Sequence, residues 1–398
     1  MEVDKAKEKT LEQDDVLQKY KDAAQIVNRV VKHVMGEIRA GGSVVEICTA
    51  GDKMVQDEVD KIYTKAVVVD DEGGGGGSRG GKGTAGDGSK KRVIDKGVAF
   101  PTCLSSGSCA AHFSPLTAED AALEEGKLVS VDVGVHLDGF IAVASVMSVV
   151  GGGKVSGRAA DVLNAAYLAA EASARLLRPG KTNQDVVNVI AKAAAHYKCN
   201  PVEGVLSHQM KRFVIDGNKV IPNKPSLEQR SELFEFETFE VYAVDIAIST
   251  GEGKLRETTF RPTIFKRRVD IEYQLKMKTS RQLFSEINAK STALPFNLRS
   301  LEDEKRARLG ITELLNHGLV VPYPVLSERE GEQVARIKYT ALILPSYTVL
   351  ATEFFKIETE PGDPVTDEEL INLLNMPLGK PKKKKEKAEE KHEAMQTE

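Results

Sequence analysis

A chain of 398 residues, 41% of them hydrophobic, exceeds the usual single-domain size and can bury a sizeable core. Its net charge of −4 argues against binding polyanions with the whole surface, so any nucleic-acid contact must come from local basic patches. The charged start MEVDKAKEKTLEQDD fits neither a signal nor a transit peptide, and no apolar run approaches ~18 residues, so an intracellular protein without a membrane span is expected.

Residues 1–14 read as a flexible N-terminus. An amphipathic helix is predicted over 15–39, where Leu17, Tyr20, Ala24, Val27, Val31, Val34 and Ile38 keep helical spacing until Gly41-Gly42. Ser43-x-x-Glu46 is a capping box opening a second helix over 44–63. Residues 71–91 hold ten glycines between 73 and 88 and have too few apolar side chains to offset ordering entropy, so a disordered loop is expected. No strand–Gly-loop–helix with GK[ST] makes it a phosphate loop. Strands follow at 128–135 and 139–150, joined by the hairpin signal Asp138-Gly139. Helices over 157–178 and 184–198 come next, the second opened by Thr182-x-x-Asp185, then strands at 236–249 and 255–262. The order helix, helix, strand hairpin thus occurs twice, which suggests two related halves facing each other across a cleft.

From Thr263 to Arg308 eleven Lys/Arg stand against six Asp/Glu, and the segment 263–333 reads as an inserted, α-rich basic domain. Final strands at 334–344 and 348–357 should complete the sheet. The tail 377–398, with four consecutive lysines, reads as disordered, and as a nuclear address or an RNA-phosphate contact. The four scattered cysteines, Cys48, Cys103, Cys109 and Cys199, form no CxxC and are expected to be reduced and mostly buried.

Four strand-like apolar runs each carry one polar group: Asp132, His208, Asp245 and Lys338. Carboxylates and a His on neighbouring strands are how a protein holds a pair of divalent ions that activate water. A lysine does not belong in such a set.

The segments SCAAHFSP (108–115), VSVDVGVHLDG (129–139), LSHQM (206–210) and VYAVDIAISTGEG (241–253) resemble the landmarks of type 2 methionine aminopeptidases. The resemblance spans about residues 13–380. It implies an α+β, pseudo-symmetric "pita-bread" (creatinase/methionine aminopeptidase-like) fold with a small helical insertion in the second half: core over 15–262 and 334–376, insertion over 263–333. Those enzymes hold two metals with two Asp, one His and two Glu. Carried onto this chain, the first Asp is Asp132 and the second falls at Val143. The His is His208, the first Glu falls at the shorter Asp245, and the bridging Glu falls at Lys338. A substrate-contacting His is kept at His112, and another is replaced by Asp216.

Val143 cannot coordinate a metal. An ammonium ~4 Å from a divalent ion is repelled by roughly 8 kcal/mol at an effective dielectric of ~20. Lys338 therefore reads as an internal cation paired with Asp132 and Asp245, and no metal or other cofactor is expected. The pattern is similar to the proliferation-associated / ErbB3-binding protein family, non-catalytic relatives of those enzymes. GVAFPT (97–102), HFSPL (112–116), GVHLDGFIA (134–142) and LSHQMKRFVIDGNKVI (206–221) carry that likeness.

By this resemblance the protein would be a monomeric pseudoenzyme of cytoplasm and nucleus or nucleolus. It would bind structured RNA and ribosomal subunits and act in ribosome biogenesis, translation control and growth regulation, with transcriptional co-regulation as a further role. RNA contact is expected from Lys266, Arg267, Arg268, Lys276, Lys278 and Arg281 in the insert, and from Lys382, Lys383, Lys384 and Lys385 in the tail. Leu370, Leu373 and Leu374 form an LxxLL pattern of the kind that docks in a partner's groove. The alternative is a weak aminopeptidase or hydrolase using one metal held by Asp132, His208 and Asp245.

Overall fold

Apolar side chains at helical spacing and strict alternation in the strands sort this chain into layers. A computed structural model describes residues 9–65, 67–69, 90–226, 231–290 and 293–379. Helix α1 (Asp14–Glu37) buries one stripe that includes Val16, Tyr20, Val27, Val31 and Val34. Helix α2 (Val44–Asp60) starts where the Ser43 hydroxyl accepts the Glu46 N–H at 3.1 Å. Strands β1 (Lys96–Ser106), β2 (Leu128–Leu137) and β3 (Phe140–Val149) follow. In the turn between β2 and β3, Asp138 and Gly139 both take positive φ (56° and 81°), as a type I′ hairpin requires. Helices α3 (Gly157–Leu176) and α4 (Asn183–His196) open the second half, and Thr182 and Asp185 complete a reciprocal capping box. Strands β4 (Leu206–Met210), β5 (Val220–Pro222) and β6 (Val241–Ser249) come next. The insert contributes β7 (Ile264–Arg267), α5 (Lys278–Lys290), α6 (Glu304–Asn316) and β8 (Val320–Tyr323). Strand β9 (Val334–Ile343) and helix α7 (Glu368–Asn375) return to the core.

The main sheet is antiparallel in the order β1-β2-β3-β9-β6-β4-β5, and the two halves meet at the β3–β9 junction. Alternation gives the sheet two different faces. On β9, Ala335, Ile337, Tyr339, Ala341 and Ile343 pack with α3 and α4, together with Tyr242, Val244, Ile246 and Ile248 of β6. On β2, Val129, Val131, Val133 and Val135 pack with α1 and α2. The opposite face carries Asp132, Ser145, Asp245, Arg336, Lys338 and Thr340, and it floors the cleft. At the junction, the Thr340 and Thr352 hydroxyls both donate to the Val143 carbonyl at 3.0 Å, and the Val143 N–H donates to Thr340 Oγ1 at 2.8 Å. Next to it the Thr340 N–H donates to the Thr352 hydroxyl at 2.8 Å, a side-chain bond in place of a ladder bond, and the last strand is only Thr348–Leu350 rather than 348–357. The expected strand at 255–262 is likewise reduced to Arg256–Glu257.

The insert builds its own small core, including Phe265, Leu283, Ile287, Phe296, Ile311 and Leu314. Beside its two helices it holds a small sheet, in which β7 pairs with both β8 and Phe296–Asn297. Arg299 docks it to the first half. The guanidinium donates to Asp52 Oδ2 of α2 at 2.7 Å, to Ser114 Oγ at 3.2 Å and to the Pro115 carbonyl at 3.0 Å.

Two other expectations change. Leu370 and Leu373 of the LxxLL segment are 1% and 5% exposed and pack with α3, and Leu374 is partly buried beside them. The leucines close this chain's own core, so they are not a free docking motif. Of the glycine-rich segment 71–91, residues 71–89 lie outside the described residues, while Lys90–Arg92 forms a two-stranded ribbon with Val67–Val69. Among the described residues no helix is long and apolar enough to cross a membrane.

Candidate functional site

Register brings the charged residues together. Asp132 pairs with Ser145 across β2–β3, Ser145 with Lys338 across β3–β9, and Lys338 with Asp245 across β9–β6. Residues on one rung share a face. The small Ser145 leaves room for long side chains to pass over it. Lys338 Nζ lies 2.9 Å from Asp245 Oδ2 and 3.8 Å from Asp132 Oδ1. It also sits 5.5 Å from the centre of the Phe100 ring, a cation–π contact.

Lys338 is not the only cation. Arg336, two residues earlier on the same face and 4% exposed, grips Asp245 with both ends of its fork: Nε to Oδ1 at 2.8 Å and Nη2 to Oδ2 at 2.6 Å. Its Nη1 lies 3.4 Å from Asp132 Oδ1. Sequence reasoning missed Arg336. The signal was there, because the alternation of VARIKYT that turns Lys338 into the cleft turns Arg336 there too.

Burial alone would raise the Asp245 carboxyl, but Arg336 and then Lys338 pull it well below the usual range. Burial disfavours the Arg336 charge, yet Asp132 and Asp245 more than compensate and hold it firmly protonated. The cluster holds two cations and two carboxylates and is balanced in charge. Asp132 is 1% exposed, and neither of its oxygens makes a hydrogen bond, nor does Arg336 Nη1. Charge rather than hydrogen bonding holds that corner.

The cluster floors a cavity of about 230 Å³ whose walls include Phe100, His112, Val143, His208, Ile215, Asp216 and Tyr323. His112 takes a left-handed backbone (φ 66°) and its Nδ1 donates to the Pro324 carbonyl at 3.0 Å. A carbonyl can only accept, so Nδ1 carries the proton. Burial, and next Arg336, push the ring down to about 3, so it is neutral with a bare Nε2. His208 Nδ1 likewise faces the Gly217 carbonyl at 3.3 Å, and burial lowers its pKa. Val143, at the place of the second Asp, puts an isopropyl group into the wall.

These residues do not fit a divalent ion. Both oxygens of Asp245 are taken by cations, Val143 has no donor atom, and two positive charges stand where metals would be. Among the described residues no three His, Cys, Asp or Glu side chains converge as a metal would need.

The predicted RNA contacts separate. Lys266 is ion-paired with Asp216 across the cleft mouth, which ties the insert to the loop after β4. Arg267 lies over the Phe284 ring at 5.4 Å and is half-buried. Arg268 is paired with Asp270 at 2.8 Å, and Arg281 caps the Leu275 and Lys276 carbonyls at 3.1 and 2.6 Å. Lys276 and Lys278 are exposed, with no ion pair among the described residues. Lys382, Lys383, Lys384 and Lys385 lie outside the described residues.

The fold and cluster define a metallopeptidase scaffold whose metal-binding positions are occupied by an internal salt-bridge network. Residues 18–254 match metallopeptidase family M24. A Solanum tuberosum protein named ERBB-3 BINDING PROTEIN 1 is 42% identical over 98% of this chain and 97% of its own. Proliferation-associated protein A of Dictyostelium discoideum is 39% identical over 94% of this chain and 91% of its own. The "Curved DNA-binding protein" of Schizosaccharomyces pombe is 34% identical over 94% of each. Among solved structures, a thermophilic Arx1 superposes with a TM-score of 0.80 at 26% identity, over 92% of this chain and 99% of that one. Methionine aminopeptidase from Thermotoga maritima has a TM-score of 0.53 at 15% identity over 86% and 98%, a likeness of fold alone. The chain belongs to the ErbB3-binding / proliferation-associated protein family within M24, and it has the pita-bread fold of that group.

Proposed function

We propose that this protein is a non-enzymatic RNA- and ribosome-associated member of its family, acting in ribosome biogenesis, translation control and growth regulation from the cytoplasm and the nucleus or nucleolus, with transcriptional co-regulation as a further role. One observation carries the non-enzymatic part: Arg336 and Lys338 together saturate Asp245, the carboxylate a metal would need. Two cations, Arg336 buried and Lys338 half-buried, oppose a divalent ion more strongly than the single lysine legible as a mismatch in sequence.

The nucleic-acid part rests on the family resemblance and on a relative named for binding curved DNA. It also rests on exposed cations such as Lys276 and Lys278, outside the internal pairs. Partners are ribosomal subunits and structured RNA. The experiment is sedimentation of the full chain with purified ribosomal subunits, with and without nuclease, beside metal analysis and an N-terminal methionine release assay. Nuclease-sensitive co-sedimentation without stoichiometric metal is expected. Tightly bound metal together with methionine release would overturn the reading in favour of the single-metal hydrolase.

A further inference from the structure

The cations that the structure leaves unpaired lie partly outside the basic insert named above. Lys254, Arg256 and Arg261 are exposed, and none has an ion pair among the described residues. With Glu257 they give the stretch 254–261 a net charge of +2. Between them Phe260 leaves 45% of its surface exposed. An exposed phenylalanine in a basic stretch needs an account, because its ring gains nothing from water.

The ring is not loose. It meets Phe113, itself buried, at a centroid distance of 5.0 Å and an angle of 61°. The Phe260 N–H donates to Thr258 Oγ1 at 3.2 Å, and the Thr258 N–H donates to the Val325 carbonyl at 3.0 Å. Three residues further on, Thr263 Oγ1 donates to the Ser114 carbonyl at 2.8 Å. On the other side Leu255 packs against Ala110, Val202 and Val205. The segment is therefore anchored before, at and after the aromatic. A rigid ring loses little entropy when something stacks on it.

From this we infer that residues 254–261 form a binding platform for single-stranded RNA: an unpaired base stacks on Phe260 while Arg256 and Arg261, with Lys254, meet the neighbouring phosphates. Sequence-tolerant single-strand binding uses an aromatic face beside a basic track. The arrangement fits a peptide strand less well, because Arg256–Glu257 is a two-residue charged edge, a form that discourages strand addition. The proposal rests on the RNA-binding reading above and adds the site and the form of RNA.

The test is fluorescence anisotropy of the full chain with a labelled 12-nucleotide oligouridylate, an RNA duplex of the same length and a glutamate-rich peptide. Phe260→Ala should weaken oligouridylate binding about tenfold, the loss of one stacked base. Phe260→Tyr should restore it to within about twofold. Arg256→Gln with Arg261→Gln should lower the salt slope by about 1.4, roughly 0.7 for each single-strand phosphate that is no longer neutralised. Duplex binding should change far less in Phe260→Ala. Wild-type-like oligouridylate binding by Phe260→Ala would sink the platform and leave the RNA reading standing, as would an equal loss on the duplex. A Phe260-dependent interaction with the glutamate-rich peptide alone would assign the patch to a protein. If the unmodified chain binds neither RNA, the platform and the RNA reading both fall.

Discussion

Arg336 holds Asp245 through two hydrogen bonds of 2.8 and 2.6 Å, one to each carboxylate oxygen, between side chains 91 positions apart in the chain. This forked pair sits on the floor of the cleft where the related enzymes keep an acid for metal. It makes the positive charge a fixture of the sheet, with Lys338 as a second cation beside it. Removing Arg336 should therefore cost far more than a surface ion pair, about 3–5 kcal/mol, because Asp132 and Asp245 would share one lysine. Arg336→Met should show this in urea unfolding. Combining it with Asp132→Leu should recover part of the loss. An Arg336→Met protein of unchanged midpoint would refute the view that the network is structural.

Restoring an acid at Lys338 should not restore metal binding. In Lys338→Glu the two oxygens of Asp245 remain engaged by Arg336. Calorimetric titration with cobalt(II) should reveal no site tighter than about 1 mM, some −4 kcal/mol. A micromolar site in this single variant would show that the guanidinium swings aside.

Stability should fall as pH drops from about 6.5 towards 4. Burial pushes His136 down to about 4, so in that window the unfolded chain binds a proton that the folded chain refuses. A lowered histidine pKa thus makes stability rise with pH, and His112, pushed down to about 3, adds with the same sign. Asp245 adds a further loss only lower, as pH falls through and below the ordinary carboxylate range. His136→Asn should reduce the slope of unfolding free energy between pH 4.5 and 6 by up to one proton, about 1.4 kcal/mol per pH unit. An unchanged slope would place the proton uptake elsewhere.

Arg299→Ala should loosen the insert. The guanidinium reaches Asp52, Ser114 and Pro115, and its side chain is 10% exposed. A loss of about 3 kcal/mol is expected, with faster protease cleavage near residues 259–263. Equal cleavage rates in variant and parent would mean that the remaining contacts at Ser114 suffice.

Leu370→Ala should destabilise by about 2–5 kcal/mol, as a buried leucine does, whereas Ile371→Ala, on the exposed side of α7, should change stability by less than about 0.5 kcal/mol. Thermal melts compare the two. The reverse order would return the LxxLL segment to the role of a docking helix.

The sequence by itself determined the features that depend on near neighbours. Helical spacing in α1, the caps at Ser43 and Thr182, and the Asp138-Gly139 turn are set within a few residues, so local chemistry suffices to read them. Alternation in β2, β6 and β9 likewise placed Asp132, Asp245 and Lys338 on strands. Lys338 among them, and Val143 once the chain is set against the enzymes it resembles, announced a site unsuited to metal. Only the tertiary structure decided what these groups touch. The register of β9 against β6 set Lys338 opposite Asp245, and the long side chain of Arg336 forks onto the same carboxylate from the neighbouring rung of that face. The packing of α7 on α3 turned Leu370 and Leu373 from a motif into core. The approach of the insert to the loop after β4 paired Lys266 with Asp216 and left Lys276, Lys278, Arg256 and Arg261 facing water. Charge pairing and burial depend on which distant segments meet, and that is settled by packing the whole chain.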